Sequence, residues 1–288
     1  MSNTIVVGSD GSPASKAAAD WAARRAHRYC SDMRLVFTVP DATDPGLASR
    51  SRAGFEAAAH TLDEERARLA ALFPGLTIHT TIKHGEPVAV LGGLSHEAGM
   101  VVVGSDKPAD AHGEGFGAVG PQLVIRSACT VAIIPVLETA RTGVVVGVDG
   151  SPEADLALQV ASGEAEMSGQ ALTVVHALTH TGPGTPGKPR DGQVMPGALE
   201  AGEEVLAAAV AAIAARHPRL EVHRVLDTRH TPAQALASAA GGSGLLVVGS
   251  RGRKSVRHMR PGAIGSVVLA RIGCPLLVTT GPGTSGNA

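Results

Sequence analysis

One stretch of this chain occurs twice. Ile5-Val6-Val7-Gly8-Ser9-Asp10-Gly11-Ser12-Pro13 returns as Val144-Val145-Val146-Gly147-Val148-Asp149-Gly150-Ser151-Pro152. A second echo closes each half, Val101-Val102-Val103-Gly104-Ser105 and Leu246-Val247-Val248-Gly249-Ser250. Matched pairs in the same order at nearly the same spacing mark an internal duplication. The chain is therefore read as two copies of one unit, residues 1–139 and 140–288, joined by a short polar segment near Thr139–Thr142.

Each copy has the size of an ordinary domain. Within a copy, short β-branched runs alternate with helical segments. In the first, the expected strands are Thr4–Gly8, Leu35–Val39, Leu76–Lys83, Met100–Gly104 and Val131–Val136. Helices are expected from Ser12-Pro13 to about Arg28, over Glu56–Leu72, over Pro87–Ala98 and from about Ala118 to Ser127. Ala17, Ala18, Trp21, Ala22 and Ala26 form the first helix's expected packing stripe, and Pro40–Gly54 reads as a polar loop. The second copy repeats the order, with strands Val144–Gly147, Ala171–His176, Glu221–Leu226, Leu245–Gly249 and Pro275–Thr280. Its helices start near Pro152, Leu199, Pro232 and Ala263, and a tail follows from about residue 281. Apolar runs without alternation mean parallel strands covered on both faces. The expected fold is α/β: two tandem doubly wound, Rossmann-like domains, each a five-stranded parallel sheet flanked by helices.

The net charge is −1 and aromatic residues are only 2%. Neither a field for nucleic acid nor a base-stacking platform is expected. No apolar run is long enough for a membrane span, and no basic segment followed by an apolar run suggests a signal peptide. Cys30, Cys129 and Cys274 are too sparse for a disulfide framework, which fits a reducing, cytoplasmic setting.

In doubly wound sheets ligands bind at the carboxyl ends of the strands, where the strand order reverses. The loop after the second copy's fourth strand reads Gly249-Ser250-Arg251-Gly252-Arg253-Lys254-Ser255-Val256-Arg257-His258-Met259-Arg260-Pro261-Gly262-Ala263. Glycines let backbone N–H groups approach an anion, a helix N-terminus adds partial positive charge, and five cationic side chains surround the cradle. The plainer reading is a solvated basic loop with turn glycines. Its place between a parallel strand and a helix start favours phosphate.

The spacing G-x2-G-x9-G resembles the nucleotide loop of ATP-binding universal stress proteins. Gly249, Gly252 and Gly262 match it, as do the strand end Val247-Val248-Gly249-Ser250-Arg251-Gly252 and the later Gly273-Cys274-Pro275. The resemblance extends over both copies and implies a tandem member of that family. It further implies that Gly147 and Asp149 contact the base and ribose, with backbone groups near His176 and Ala177 holding the adenine. Gly249, Ser250, Arg251, Gly252, Arg253, Gly262, Ala263 and Ile264 would take the phosphates of ATP, with or without Mg. The family's Ser or Thr after the last glycine is here Ala263, which removes one hydrogen bond worth about 1 kcal/mol.

In the first copy Gly104 and Gly117 survive, but Lys107 replaces the middle glycine. Asp106, Asp110 and Glu114 stand where the other copy has cations, and Pro121 removes an N–H from the closing helix. Two readings follow: this copy has lost its nucleotide site, or Lys107 supplies a replacement contact. Gly115-Phe116-Gly117-Ala118-Val119-Gly120 spells a dinucleotide motif, but does not directly follow a strand. His176 and His180 sit at a strand end and in a loop, so no metal site is expected. Nothing resembles a general base, so no catalytic residue is assigned.

The leading expectation is a stress-response regulatory protein that binds ATP in the second domain, with at most slow hydrolysis. A scaffold or interaction module of the same fold is the alternative, because Ala118 and Ala263 both replace the family's hydroxyl. An enzyme of nucleotide transfer ranks third. The resemblance also implies an intrachain pseudo-dimer through the last strands, and leaves open a homodimer of such chains.

Overall fold

Short valine-rich strands set the frame. A computed structural model describes residues 3–40, 48–105, 119–178, 197–250 and 273–280. The chain divides into two units between Val136 and Leu137. Unit 1 runs β1 (Ile5–Gly8), α1 (Pro13–Tyr29), β2 (Met33–Val39), α2 (Ala48–Leu72), β3 (Ile78–His84), α3 (Pro87–Leu94), β4 (Met100–Ser105), α4 (Val119–Arg126) and β5 (Thr130–Pro135). Unit 2 runs β6 (Val144–Gly147), α5 (Pro152–Ser168), β7 (Leu172–Ala177), α6 (Ala198–Arg216), β8 (Val222–Asp227), α7 (Pro232–Ala240), β9 (Leu245–Gly249) and β10 (Leu276–Thr279).

Within unit 1 the strands lie in the order β3-β2-β1-β4-β5, and within unit 2 in the order β8-β7-β6-β9-β10; all these pairs are parallel. Each chain segment winds outward from its first strand to one edge, then crosses back to the other side. The order therefore reverses between β1 and β4, and between β6 and β9, which opens a crevice at those carboxyl ends.

Local chemistry explains the helix starts. Ser12 and Ser151 accept hydrogen bonds from the N–H of Ser15 (3.1 Å) and Ala154 (3.2 Å), with proline at the first helical position. Thr231 and Gln234 form a reciprocal capping box at α7. Helix α1 buries Ala14, Ala18, Ala19, Ala22, Ala23 and Ala26 on the Val-rich sheet, while Ala17 and Trp21 sit only half-buried at its border. Ala18, Ala22 and Ala26 of the expected stripe are buried, while Ala14, Ala19 and Ala23 take the places expected of Ala17 and Trp21, because alanines on both flanks compete for the same face. Each fully buried Val of the central strands contributes about 1.5–3 kcal/mol.

Three expectations change. Helix α2 begins at Ala48, inside the stretch read as polar loop, and α3 ends at Leu94 rather than Ala98. The outer strands are not solid apolar runs: β3 exposes His79, Thr80, Lys83 and His84, and β8 exposes His223, Arg224 and Val225. Lys83 and Arg224 on these edges discourage pairing with another chain. The first copy's loop from Asp106 to Ala118, the helix expected near Ala263 and the tail from residue 281 lie outside the described residues.

Candidate functional site

The reversal of strand order brings Gly147, Ala177 and Gly249 to one edge of unit 2. Val146 pairs with Val247 and Gly147 with Val175, so the ends of β6, β7 and β9 stand within about two residues of one another. Asp149 follows β6. Its Oδ1 accepts from the Ser151 N–H (3.0 Å) and the Ser151 hydroxyl (2.6 Å), and Gly150 takes φ 73° between them. The carboxylate thereby shapes the turn that hands the chain to α5. Unit 1 repeats the device: Asp10 Oδ1 accepts from the Ser12 N–H (2.9 Å) across Gly11 at φ 82°. Burial pushes the Asp10 carboxyl up, but hydrogen bonds from Ser12 and Ser15 outweigh it and hold the group below the usual carboxylate range.

Backbone register gives Ala177 its character. Val148 N–H donates to Val175 O (2.9 Å), and Leu178 N–H donates to Asp227 O (2.9 Å). By the alternation of a parallel ladder, Ala177 turns its N–H and C=O toward β6. The ladder with β6 ends at Gly147 opposite Val175, so these two groups face the crevice beyond the strand. Next to them, Asp227 Oδ1 accepts from the N–H groups of Arg229 and His230 (both 2.8 Å), and Oδ2 bonds His230 Nδ1 (2.8 Å). Burial raises the Asp227 carboxyl, yet these bonds hold it below its ordinary value.

Gly249 has a packing cause. A Cβ there would lie 2.9 Å from the carbonyl oxygen of Glu153 in the first turn of α5. Gly104 is under the same constraint more severely, because a Cβ would overlap the Ala14 carbonyl of α1. Both copies need a bare backbone where the fourth strand passes under the first helix. The first glycine of the motif is therefore dictated by the fold in both halves, including the half that lacks the middle glycine. Ser250 continues from Gly249, its N–H donating to Thr279 O (2.9 Å). Arg251, Gly252, Arg253, Gly262, Ala263 and Ile264 lie outside the described residues, as do Lys107 and His180.

The side chain of His176 was given no part in the site from sequence, only its backbone. His176 Nδ1 lies 2.7 Å from Val148 O, the carbonyl that precedes Asp149. The equivalent residue of the first copy is Phe37, since Val36 and Val175 hold the same register position against β1 and β6. That difference between the copies was the available signal. Among the described residues, no group of three or more His, Cys, Asp or Glu side chains is placed to hold a metal. Cys274 is buried, which pushes its thiol up to about 12, and burial raises Cys129 as well. Neither is a thiolate nucleophile at neutral pH.

Fold and crevice together define a tandem pair of doubly wound α/β domains, each with a crevice at the reversal of strand order. The model of the universal stress protein family matches residues 1–135 and 141–280. The chain belongs to that family and carries two of its domains in tandem. It is similar to universal stress protein Rv1996 of Mycobacterium tuberculosis, 31% identical, with 96% of this chain and 95% of that one covered. Universal stress protein Rv2623 of the same organism is 30% identical, with 95% of each chain covered. A universal stress protein structure from Archaeoglobus fulgidus superposes with a TM-score of 0.72 at 21% identity, covering 98% of this chain and 100% of that one. No helix among the described residues is long and apolar enough to cross a membrane.

Proposed function

We propose that this chain is a stress-response regulator that binds ATP, with or without Mg, at the carboxyl edge of unit 2, with at most slow hydrolysis. The observation that carries this is the convergence on one crevice of the Asp149 turn, the N–H and C=O of Ala177 facing past β6, and the Gly249–Ser250 strand end. The basic sequence Arg251–Arg260, with Gly252 and Gly262, continues directly from that strand end. Asp149 and Gly147 suit a ribose and Ala177 an adenine edge. The N–H groups of Gly252, Arg253, Gly262, Ala263 and Ile264 suit phosphates.

The test is calorimetry with ATP up to millimolar concentration on wild-type protein, Gly252→Glu and Lys107→Glu. Saturable binding that Gly252→Glu removes and Lys107→Glu leaves intact is the expected result. Equal effects of the two changes would place the site, or a second one, in unit 1. No binding by the wild type would favour the interaction-module reading. That reading has its own support: Gly249 is explained by packing on Glu153, and the Asp149 carboxylate by its turn. The family's pairing of last strands would here join Val131–Val136 to Leu276–Thr280 within one chain as a pseudo-dimer. Light scattering on the purified protein distinguishes a single such chain from a homodimer. The three sparse cysteines suit a cytoplasmic location.

A further inference from the structure

We infer that His176 is the positioning residue of the unit 2 crevice: its ring N–H fixes the Val148 carbonyl and so holds the turn that carries Asp149. This rests on the proposed nucleotide site for its functional consequence, but the positioning itself is a property of the chain alone. A carbonyl oxygen only accepts, so at 2.7 Å Nδ1 must carry the proton. That assigns the Nδ1–H tautomer to the neutral ring.

The geometry makes the contact consequential. Val148 is the last residue bonded to β7, through its N–H to Val175 O, before the chain leaves the sheet. Its carbonyl begins the peptide that leads to Asp149. Val148 as a whole is only 7% exposed, so without a donor its carbonyl would be left unpaired at the point where ladder bonding has stopped. His176 replaces the missing ladder bond with a side-chain bond, and so extends the rigid part of the crevice by one peptide. Asp149 then starts its two bonds to Ser151 from a fixed point.

Helix α6 is shaped to admit the ring. A Cβ at Gly202 would come 2.8 Å from Leu226 Cδ1, 2.9 Å from Leu178 Cδ2 and 3.3 Å from His176 Cδ2. The helix therefore approaches the end of β7 closely enough to hold the imidazole against the sheet. Unit 1 has Phe37 at the equivalent place, a ring of similar size without a donor. The same fold is built there without this hydrogen bond, so a donor at position 176 is not a requirement of folding. The copy with the complete glycine spacing is the copy with the pinned turn.

The experiment compares wild-type protein with His176→Phe, the first copy's residue, and His176→Asn, whose amide nitrogen replaces Nδ1 as donor. Nuclear magnetic resonance of the imidazole nitrogens should show Nδ1 protonated in the neutral ring. Amide hydrogen exchange at Gly150 and Ser151 should speed up in His176→Phe and return toward wild type in His176→Asn. If wild-type protein binds ATP, His176→Phe should bind roughly three- to tenfold more weakly, the equivalent of one hydrogen bond, with His176→Asn restoring most of it. Unchanged exchange in His176→Phe, or an Nε2–H tautomer, would overturn the inference. Equal loss in both variants would also overturn it, since packing rather than donation would then be the role. Faster turn exchange in His176→Phe, together with a wild type that binds no ATP, would leave the positioning intact and remove only the nucleotide reading.

Discussion

At the scale of single residues, glycine does different work in this chain than the motif suggests. Gly104 and Gly249 look like phosphate glycines because each opens a loop after a parallel strand. Their surroundings show instead that the first helix of each unit lies against them, through Ala14 in one case and Glu153 in the other. Gly249→Ala should therefore destabilise unit 2 by about 1–3 kcal/mol through overpacking, with or without ATP present. Urea unfolding of the ligand-free protein measures this, and Gly104→Ala should cost unit 1 more, since its Cβ would overlap backbone. A stability equal to wild type would return Gly249 to a purely ligand-directed role. This part of the site was not legible in the sequence, because a helix's distance of approach leaves no local pattern. The helix starts after Asp10 and Asp149 were legible, since Ser-Pro names a cap and a first helical position; the turn that each Asp shapes was not read, because Asp149 was assigned only to base and ribose.

At the scale of elements, the two copies solve the same packing problem with different chemistry. In unit 1 Arg68 on α2 reaches Glu65 one turn earlier with a fork of two bonds, Nε to Oε2 at 2.9 Å and Nη2 to Oε1 at 2.6 Å. It also reaches Asp20 on α1 at 2.7 Å. Glu65 is 5% exposed, and Arg68 bonds both of its carboxyl oxygens. At the equivalent places unit 2 has Ala209, Ala212 and Gln159, which carry no charges to form this network. His27 against Phe73 in unit 1 likewise becomes Glu166 against His217 at 2.7 Å in unit 2. Arg68→Met should destabilise unit 1 by about 2 kcal/mol, less than a fully buried pair would lose because Arg68 is itself 36% exposed. Circular dichroism during urea unfolding tests it, and Glu65→Ala combined with Arg68→Met should recover much of the loss. No recovery would mean the pair acts through packing alone. Such exchanges explain what the sequence told and withheld about elements. Helix starts with Ser-Pro or Thr-Pro were visible to the residue. The start of α2 at Ala48 was not, because no capping residue announces it and Pro45 and Gly54 suggest a loop. Strands β2, β3, β7 and β8 start or end one or two residues from expectation, because a strand's bounds follow ladder bonding rather than the hydrophobic run.

At the scale of the whole molecule, duplication has left two cores of the same topology with unequal crevices. Both units keep the reversal of strand order and the Asp turn. Only unit 2 combines these with the pinned Val148 carbonyl and a glycine-spaced, arginine-rich sequence after its fourth strand. A ligand that binds one unit stabilises that unit by mass action. At a hundredfold excess over Kd the gain is about 2.7 kcal/mol, which slows exchange through global unfolding of that unit roughly a hundredfold. ATP should therefore slow amide exchange in β6, β7 and β9 while leaving β1, β2 and β4 unchanged, as read by hydrogen exchange with mass spectrometry. Protection spreading equally into β1 and β4 has two sources, a second binding site or cooperative unfolding of the two units. Gly252→Glu separates them. If it abolishes protection in both units, one site stabilises a coupled molecule. If protection in β1 and β4 survives the change, unit 1 binds nucleotide by itself, and its loss on Lys107→Glu would assign Lys107 as the replacement phosphate contact.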